Sequence, residues 1–200
     1  MKPRIKLLLL TLVAALSLGA VAHAASFTTE KNNAALAQPT KAGASDFDMA
    51  FGMRENDTDV VDEQNTATAY ANCDDCRAVA IAFQIVIVQS RPSTITPLNL
   101  ALAVNEGCSG CKALAIADQF VVGKGEPARL TSRGRSQLLA VADSLLAIEK
   151  SYRKLTNAEI EARTASAADK VRAILDAELK PIDGSGDPSV TMTKRVDRAA

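Results

Sequence analysis

A duplicated cysteine unit constrains this chain more than any other feature. Asn72-Cys73-Asp74-Asp75-Cys76-Arg77-Ala78-Val79-Ala80-Ile81-Ala82-Phe83-Gln84 returns as Gly107-Cys108-Ser109-Gly110-Cys111-Lys112-Ala113-Leu114-Ala115-Ile116-Ala117-Asp118-Gln119, and the two units hold all four cysteines. The shared register of Cys, Cys, a basic residue, three alanines, Ile and Gln marks a tandem supersecondary repeat. Architecture is therefore better specified than activity.

The chain begins with secretory character. Lys2, Arg4 and Lys6 precede the apolar run Leu7 to Leu18, and Ala22-His23-Ala24 forms a small-x-small cleavage site, so residues 1–24 read as a signal peptide. The run is shorter than the ~20 residues a membrane span requires, and no later segment is long and apolar enough to span. The expected product is secreted or otherwise extracytoplasmic. Cleavage removes three of the 23 basic side chains against 23 acidic ones and leaves a net negative chain, which disfavours nucleic acid as a partner. It also removes His23, the single histidine, and with it Ser-His or Cys-His catalysis and His-ligated metals.

Composition then divides the remainder. Residues 25–64 are polar and without sustained period, with Asn32-Asn33, Pro39 and Gly43, and read as a disordered leader. Within it Asn56-Asp57-Thr58 matches a glycosylation sequon and Asp57-x-Asp59 is a fragment of a calcium loop, neither with supporting context. Residues 65–127 form the repeat domain. Thr66, Thr68 and Tyr70 alternate with alanines, as do Leu100, Leu102 and Val104, so a strand precedes each cysteine pair. After the pairs, Arg77 to Gln89 and Lys112 to Val122 are alanine-rich and longer than ten residues, and Gly123 sits as a C-terminal cap, which predicts buried helices. Alternation through Val79, Ile81, Phe83, Ile85 and Ile87 keeps two β-hairpins with the cysteines in the turns as the alternative. Gln84 and Gln119, at equal places in both units, are expected to make a repeated buried hydrogen bond.

Residues 128–181 change character again. Leu138, Val141, Leu145, Ile148, Tyr152 and Leu155 follow a coiled-coil-like a/d spacing from a start near Thr131, and Thr156-x-x-Glu159 is a capping box that opens a second helix ending before Pro181. The two predict an antiparallel helical hairpin whose seam packs on the repeats or self-associates. Residues 182–200 read as a flexible tail, in which Asp183-Gly-Ser-Gly-Asp-Pro188 fails as a calcium loop at Pro188. The expected fold class is thus α+β: a small tandem strand, Cys turn, helix repeat followed by an antiparallel α-helical hairpin, with disordered ends.

Three chemistries compete for Cys73, Cys76, Cys108 and Cys111. Structural disulfides lead, because an exported chain meets an oxidising compartment and the cysteines are even in number with repeated spacing. A bridge within a motif closes about four residues and contributes about 2 kcal/mol, whereas one between motifs closes about 35 and contributes nearly 4. Residues three apart need no long-range folding to meet, so a bridge within each motif is expected. A redox pair would need a helix N-terminus to lower the thiolate pKa, which Asp74 and Asp75 oppose. A four-cysteine zinc site has the ligands, but the gap between pairs exceeds zinc-ribbon spacing.

The pattern from Ala101 to Gln119, Ala-x-Ala-x-Asn-x-x-Cys-x-x-Cys-Lys-x-x-Ala-x-Ala-x-Gln in outline, resembles an uncharacterised paired-cysteine repeat of exported actinobacterial proteins and of segments beside membrane zinc peptidases. The first unit departs from it at Tyr70, where the second has Asn105, and the peptidase motif His-Glu-x-x-His is missing. The resemblance implies an extracytoplasmic repeat domain without an assigned reaction. The sequence therefore leads to a non-enzymatic structural or protein-interaction protein, with protein as its partner, no catalytic residues, no metal and no cofactor. The alternative is an extracytoplasmic thiol-disulfide redox protein. Acids such as Asp74, Asp75 and Asp118 are read as solvated surface.

Overall fold

Alternation of strand type runs through far more of the chain than the cysteine units. The computed structural model describes residues 26–27, 30–184 and 186–200; the signal peptide and His23 lie outside the described residues. The chain forms β1 (Ser26–Phe27), β2 (Asn32–Ala37), β3 (Ser45–Asn56), β4 (Val60–Val61), β5 (Gln64–Ala71), β6 (Arg77–Val88), β7 (Thr94–Ile95), β8 (Leu98–Asn105), β9 (Lys112–Val122) and β10 (Ala128–Leu130). There follow α1 (Ser132–Ser151), α2 (Asn157–Glu178), β11 (Leu179–Pro181) and β12 (Val190–Ala199).

The strands wind as coils with three faces. β3, β6 and β9 are parallel neighbours on a long face, β2, β5 and β8 on a second, and β4 and β7 on a short third. Asn33 pairs with Asn65 and Asn65 with Asn99, while Gly52 pairs with Gln84 and Gln84 with Gln119, so equivalent residues of successive coils stack. This is a β-solenoid, in which each coil is held by its neighbours. β12 then returns antiparallel to β9, from Val190 opposite Val122 to Ala199 opposite Ala113.

The expected α+β class is overturned by this architecture. Of the described residues 45% are strand and 26% helix, and the segments after both cysteine pairs are the strands β6 and β9. Their alanines face inward, where the long and second faces approach each other: Ala78, Ala80, Ala82, Ala113, Ala115 and Ala117 meet Ala35, Ala37, Ala67, Ala69 and Ala71, all buried. Their large residues face outward into a second core. Both sides of these strands are buried, so the alternation is large against small instead of apolar against polar. The hairpin alternative fails too: β5 and β6 belong to different sheets and do not pair. Nor are the ends disordered as expected. Residues 32–61 form most of the first coil, and the tail contributes β12.

The helices do not make a separate hairpin unit but cover the outer side of the long face. Leu138, Val141, Leu145, Ile148, Ile160, Val171 and Leu175 pack with Val79, Ile81, Phe83, Leu114, Ile116 and Phe120 in one cluster. Of the two places expected for the seam, the repeats and a second copy, it takes the first, packing on β6 and β9. Thr131 accepts from Gly134 N at the start of α1, and Thr156 with Glu159 completes the capping box of α2. Gly134 is required by proximity, since a Cβ there would lie 2.6 Å from Glu178 Cβ.

The solenoid is closed by carboxylates. In the first coil Asp46 and Asp48 stand in register with Ala78 and Ala80 and accept, each at 2.7 Å, the edge N–H groups of Gln38 and Leu36. At the far end Asp197 of β12 accepts from Ala103 N at 2.8 Å on the edge of β8. Inward charges of this kind protect sheet edges from pairing with other chains.

The methyl-lined gap sets a strict size limit. Ala115→Leu is expected to lower stability in chemical denaturation by about 1–3 kcal/mol or more, because overpacking forces the sheets apart. The same substitution at partly buried Ala101 should cost less.

Candidate functional site

Each cysteine unit forms the corner between the second and long faces. Cys73–Cys76 and Cys108–Cys111 are paired at disulfide distance, with Cα separations of 5.5 and 6.1 Å. The third residue of each turn takes left-handed backbone, Asp75 at φ 55° and Gly110 at φ 68°. Asp tolerates this region and Gly prefers it; a Cβ at Gly110 would also collide with Asp75 Oδ1. The turns are bonded to each other and to the first coil: Asp75 N donates to Ser109 O at 2.8 Å, Ser109 N to Asp74 Oδ1 at 2.8 Å, and Gly43 N to Asp74 O at 2.9 Å. Asp74 thereby joins three successive turns.

The sulfur environment bears on reactivity. Carbonyl oxygens of Pro39 and Lys41 lie 3.5 and 3.3 Å from Cys73 Sγ, and Lys41 O lies 3.1 Å from Cys76 Sγ. Electron-rich oxygens beside sulfur oppose a thiolate, and each pair leads into a strand rather than a helix N-terminus, so the usual device for lowering a thiol pKa is missing here. Among the described residues no group of three or more His, Cys, Asp and Glu is arranged to hold a metal.

The interior behind the alanines is polar and crossed by two amide ladders. Gln119 Nε2 donates to Gln84 Oε1 at 2.8 Å, and both amides reach corner carbonyls: Gln84 that of Lys31 at 3.0 Å, Gln119 those of Glu63 at 3.2 Å and Leu98 at 3.3 Å. Sequence reasoning missed the second ladder. Asn33 Nδ2 donates to Asn65 Oδ1 at 2.8 Å and Asn65 Nδ2 to Asn99 Oδ1 at 2.9 Å. These asparagines also reach across to the long face, at Ala50 and Phe83 O from Asn33, Ala82 and Asp118 O from Asn65, and Ala117 and Thr193 O from Asn99. The signal was present: Asn65 and Asn99 each open an Asn-x-Ala-x-Ala run ahead of a cysteine pair.

Asp118 is the main surprise among the charged residues. It stands in register with Phe83, and through it Phe51, on the helix side of the long face. Its side chain is fully buried and neither carboxyl oxygen has a hydrogen-bond partner. Burial pushes its pKa up to about 6; Lys194, directly opposite on β12, pulls it down, and Asp169 on α2 adds to the rise. The solvated-surface reading is wrong for this residue, and the structure keeps it apart from Asp74 and Asp75 at the corner. The sequon is likewise inaccessible: Asn56 is buried and donates to Glu63 Oε1 at 2.6 Å.

No family model matches this chain, and neither the curated proteins nor the solved structures contain a match to it. The geometry therefore stands by itself.

Two outcomes are expected. Asn65→Ala removes the donor to Ala82 O, Asp118 O and Asn99 Oδ1 and the acceptor of Asn33 Nδ2, and should cost about 2–4 kcal/mol in urea unfolding, more than Asn99→Ala at the partly exposed end. For Asp118 the folded pKa of about 6 exceeds the unfolded value near 3.8, so the unfolded chain ionises first. Stability from this group is greatest below pH 4, falls as pH rises to 6, and stays lower above it by about 3 kcal/mol. Asp118→Leu should remove that fall and raise the melting temperature at pH 7 while changing little at pH 4.

Proposed function

We propose that this chain is an exported, non-enzymatic scaffold: a disulfide-stapled solenoid that serves a structural role and offers one β face to a protein partner. The observation that carries the reading is the division of labour among its side chains. The inward amides hold coils to one another and the cysteines pair within their own turns, whereas the outward face of β2, β5 and β8 leaves Leu36, Leu98, Leu100 and Leu102 exposed by 56, 49, 44 and 43%. Clustered exposed leucines on a rigid sheet favour contact with another protein over catalysis. The signal-like start, the paired cysteines and the resemblance to an exported paired-cysteine repeat support the compartment. Among the described residues no helix is long and apolar enough to cross a membrane.

The thiol environment weighs against the redox alternative, and one experiment separates the two. Peptide mass spectrometry of the secreted protein, alkylated before and after mild reductant, should find Cys73–Cys76 and Cys108–Cys111 intact at a glutathione poise. Full reduction should cost about 2 kcal/mol per bridge, since each closes about four residues, without abolishing the strand signal in circular dichroism. Turnover of a disulfide substrate that is lost in Cys73→Ser would replace the scaffold with a redox protein. For the partner face, Leu100→Asp with Leu102→Asp should leave the melting temperature within a few degrees while removing cross-links from a photoreactive group placed at Thr68.

A further inference from the structure

Arg77 and Lys112 hold the same place in successive coils, immediately after each disulfide turn, and are register partners in the parallel ladder. The residues next to them, Ala78 and Ala113, face inward, so by alternation both cations leave the sheet on the side of the helices. Neighbouring strands lie about 4.8 Å apart, and like charges at that spacing repel. Among the described residues neither cation joins an ion pair with an acid.

A cleft of about 320 Å³ opens beside them, lined by Arg77, Lys112, Leu155, Thr156 and Asn157. Those lining residues bring no acid into it. Arg77 is fixed there: Nε donates to Asn157 Oδ1 at 2.8 Å, and Nη1 to Leu155 O at 2.8 Å and Tyr152 O at 3.1 Å. Its Nη2 is buried and has no hydrogen-bond partner. Thr156 and Asn157 begin a helix of 22 residues, whose first N–H groups lack intrahelical acceptors and carry the positive end of the dipole. Glu159 offsets part of that field, its carboxylate accepting from Thr156 N at 2.7 Å and Thr156 Oγ1 at 2.9 Å. Two cations without an ion-pair partner and a helix start thus converge on one concavity.

We infer that this cleft binds a phosphate-type oxyanion, with Lys112 and the first-turn N–H groups as its contacts and Arg77 as the second charge. A dianion matches the two cations in charge. The volume is at the low end of small-molecule sites and exceeds a bare phosphate, so a phosphomonoester fits with its organic part on Leu155.

The test is a titration of the oxidised full chain by amide NMR with inorganic phosphate, and separately with glycerol phosphate, against sodium chloride of equal ionic strength. Saturable shifts at Lys112, Thr156 and Asn157 are expected, with the ester tighter if the phosphoryl group is carried on a larger molecule and equal if free phosphate is the ligand. Lys112→Met should weaken binding by about tenfold with an unchanged melting temperature in phosphate-free buffer, and Lys170→Met, outside the cleft, should bind as the parent does. Shifts reproduced by chloride, no saturation by either phosphate, or equal binding by Lys112→Met would overturn the assignment.

Discussion

The close approach of two parallel sheets through methyl groups is the constraint on which the rest of the structure depends. Ordinary stacked sheets lie about 10 Å apart; here the facing side chains are alanines from Ala35 to Ala117, fully buried or nearly so. Alanine releases little hydrophobic free energy per residue, so the gap contributes less by area than a leucine core would. What it permits is reach. With the sheets this close, an asparagine of the second face spans the interior and donates to carbonyls of two strands on the long face, as Asn65 does to Ala82 and Asp118. A buried amide so placed satisfies both itself and the groups around it, and because Asn65 accepts from Asn33 and Asn99 from Asn65, coil-to-coil register is specified by hydrogen bonding.

A stack built in this way needs an end, since every coil presents two open strand edges to the next. The first coil departs from the repeat where closure requires it. Asp46 and Asp48 take positions that are alanine in later coils, Gly52 takes the glutamine position, and a Pro39 to Gly43 turn replaces the disulfide turn. At the other end β12 covers β9 with a strand carrying Lys194, Arg195 and Arg198, the last held by Glu161 at 2.5 and 3.1 Å. These devices favour a finite, separate stack over one that extends through copies.

The same departures explain what could and could not be read from the residues alone. Thr156 with Glu159 announced the start of α2 because a capping box is local chemistry, complete within four residues. The duplicated cysteine units revealed two coils, and their spacing the pairing of each bridge. The first coil was hidden because closure had replaced its alanines and glutamine. β6 and β9 were mistaken for helices because a strand buried on both sides carries no polar residues at alternate positions, and alanine scores as a helix former when the narrow gap that demands it is unknown. Asp118 was misread for a related reason: composition places acids on the surface, and only the register with Phe83 shows that this one replaces a ring in the core.

Arg77 is where the three layers of the molecule become one. Its backbone follows Cys76 directly, and its N–H donates to Ala44 O at 2.9 Å, which ties the second coil to the first at the stapled corner. Its guanidinium binds Asn157 and the carbonyls of Tyr152 and Leu155, which are the connection between α1 and α2. Tyr152 in turn donates to Ser45 O at 3.0 Å and packs its ring, tilted, against Phe47 with centroids 5.0 Å apart. The disulfide turn therefore fixes more than its own short loop: by setting the path of the chain into β6 it sets where the guanidinium emerges and where the helical layer docks. Partial burial lowers the Arg77 pKa only from a value far above neutrality, so the charge persists, and a fixed charge held by carbonyl oxygens still projects a positive field. The corner joins staple, coil and helix in one bonded unit, which is why a covalent bond that closes so few residues can matter to the geometry of the whole.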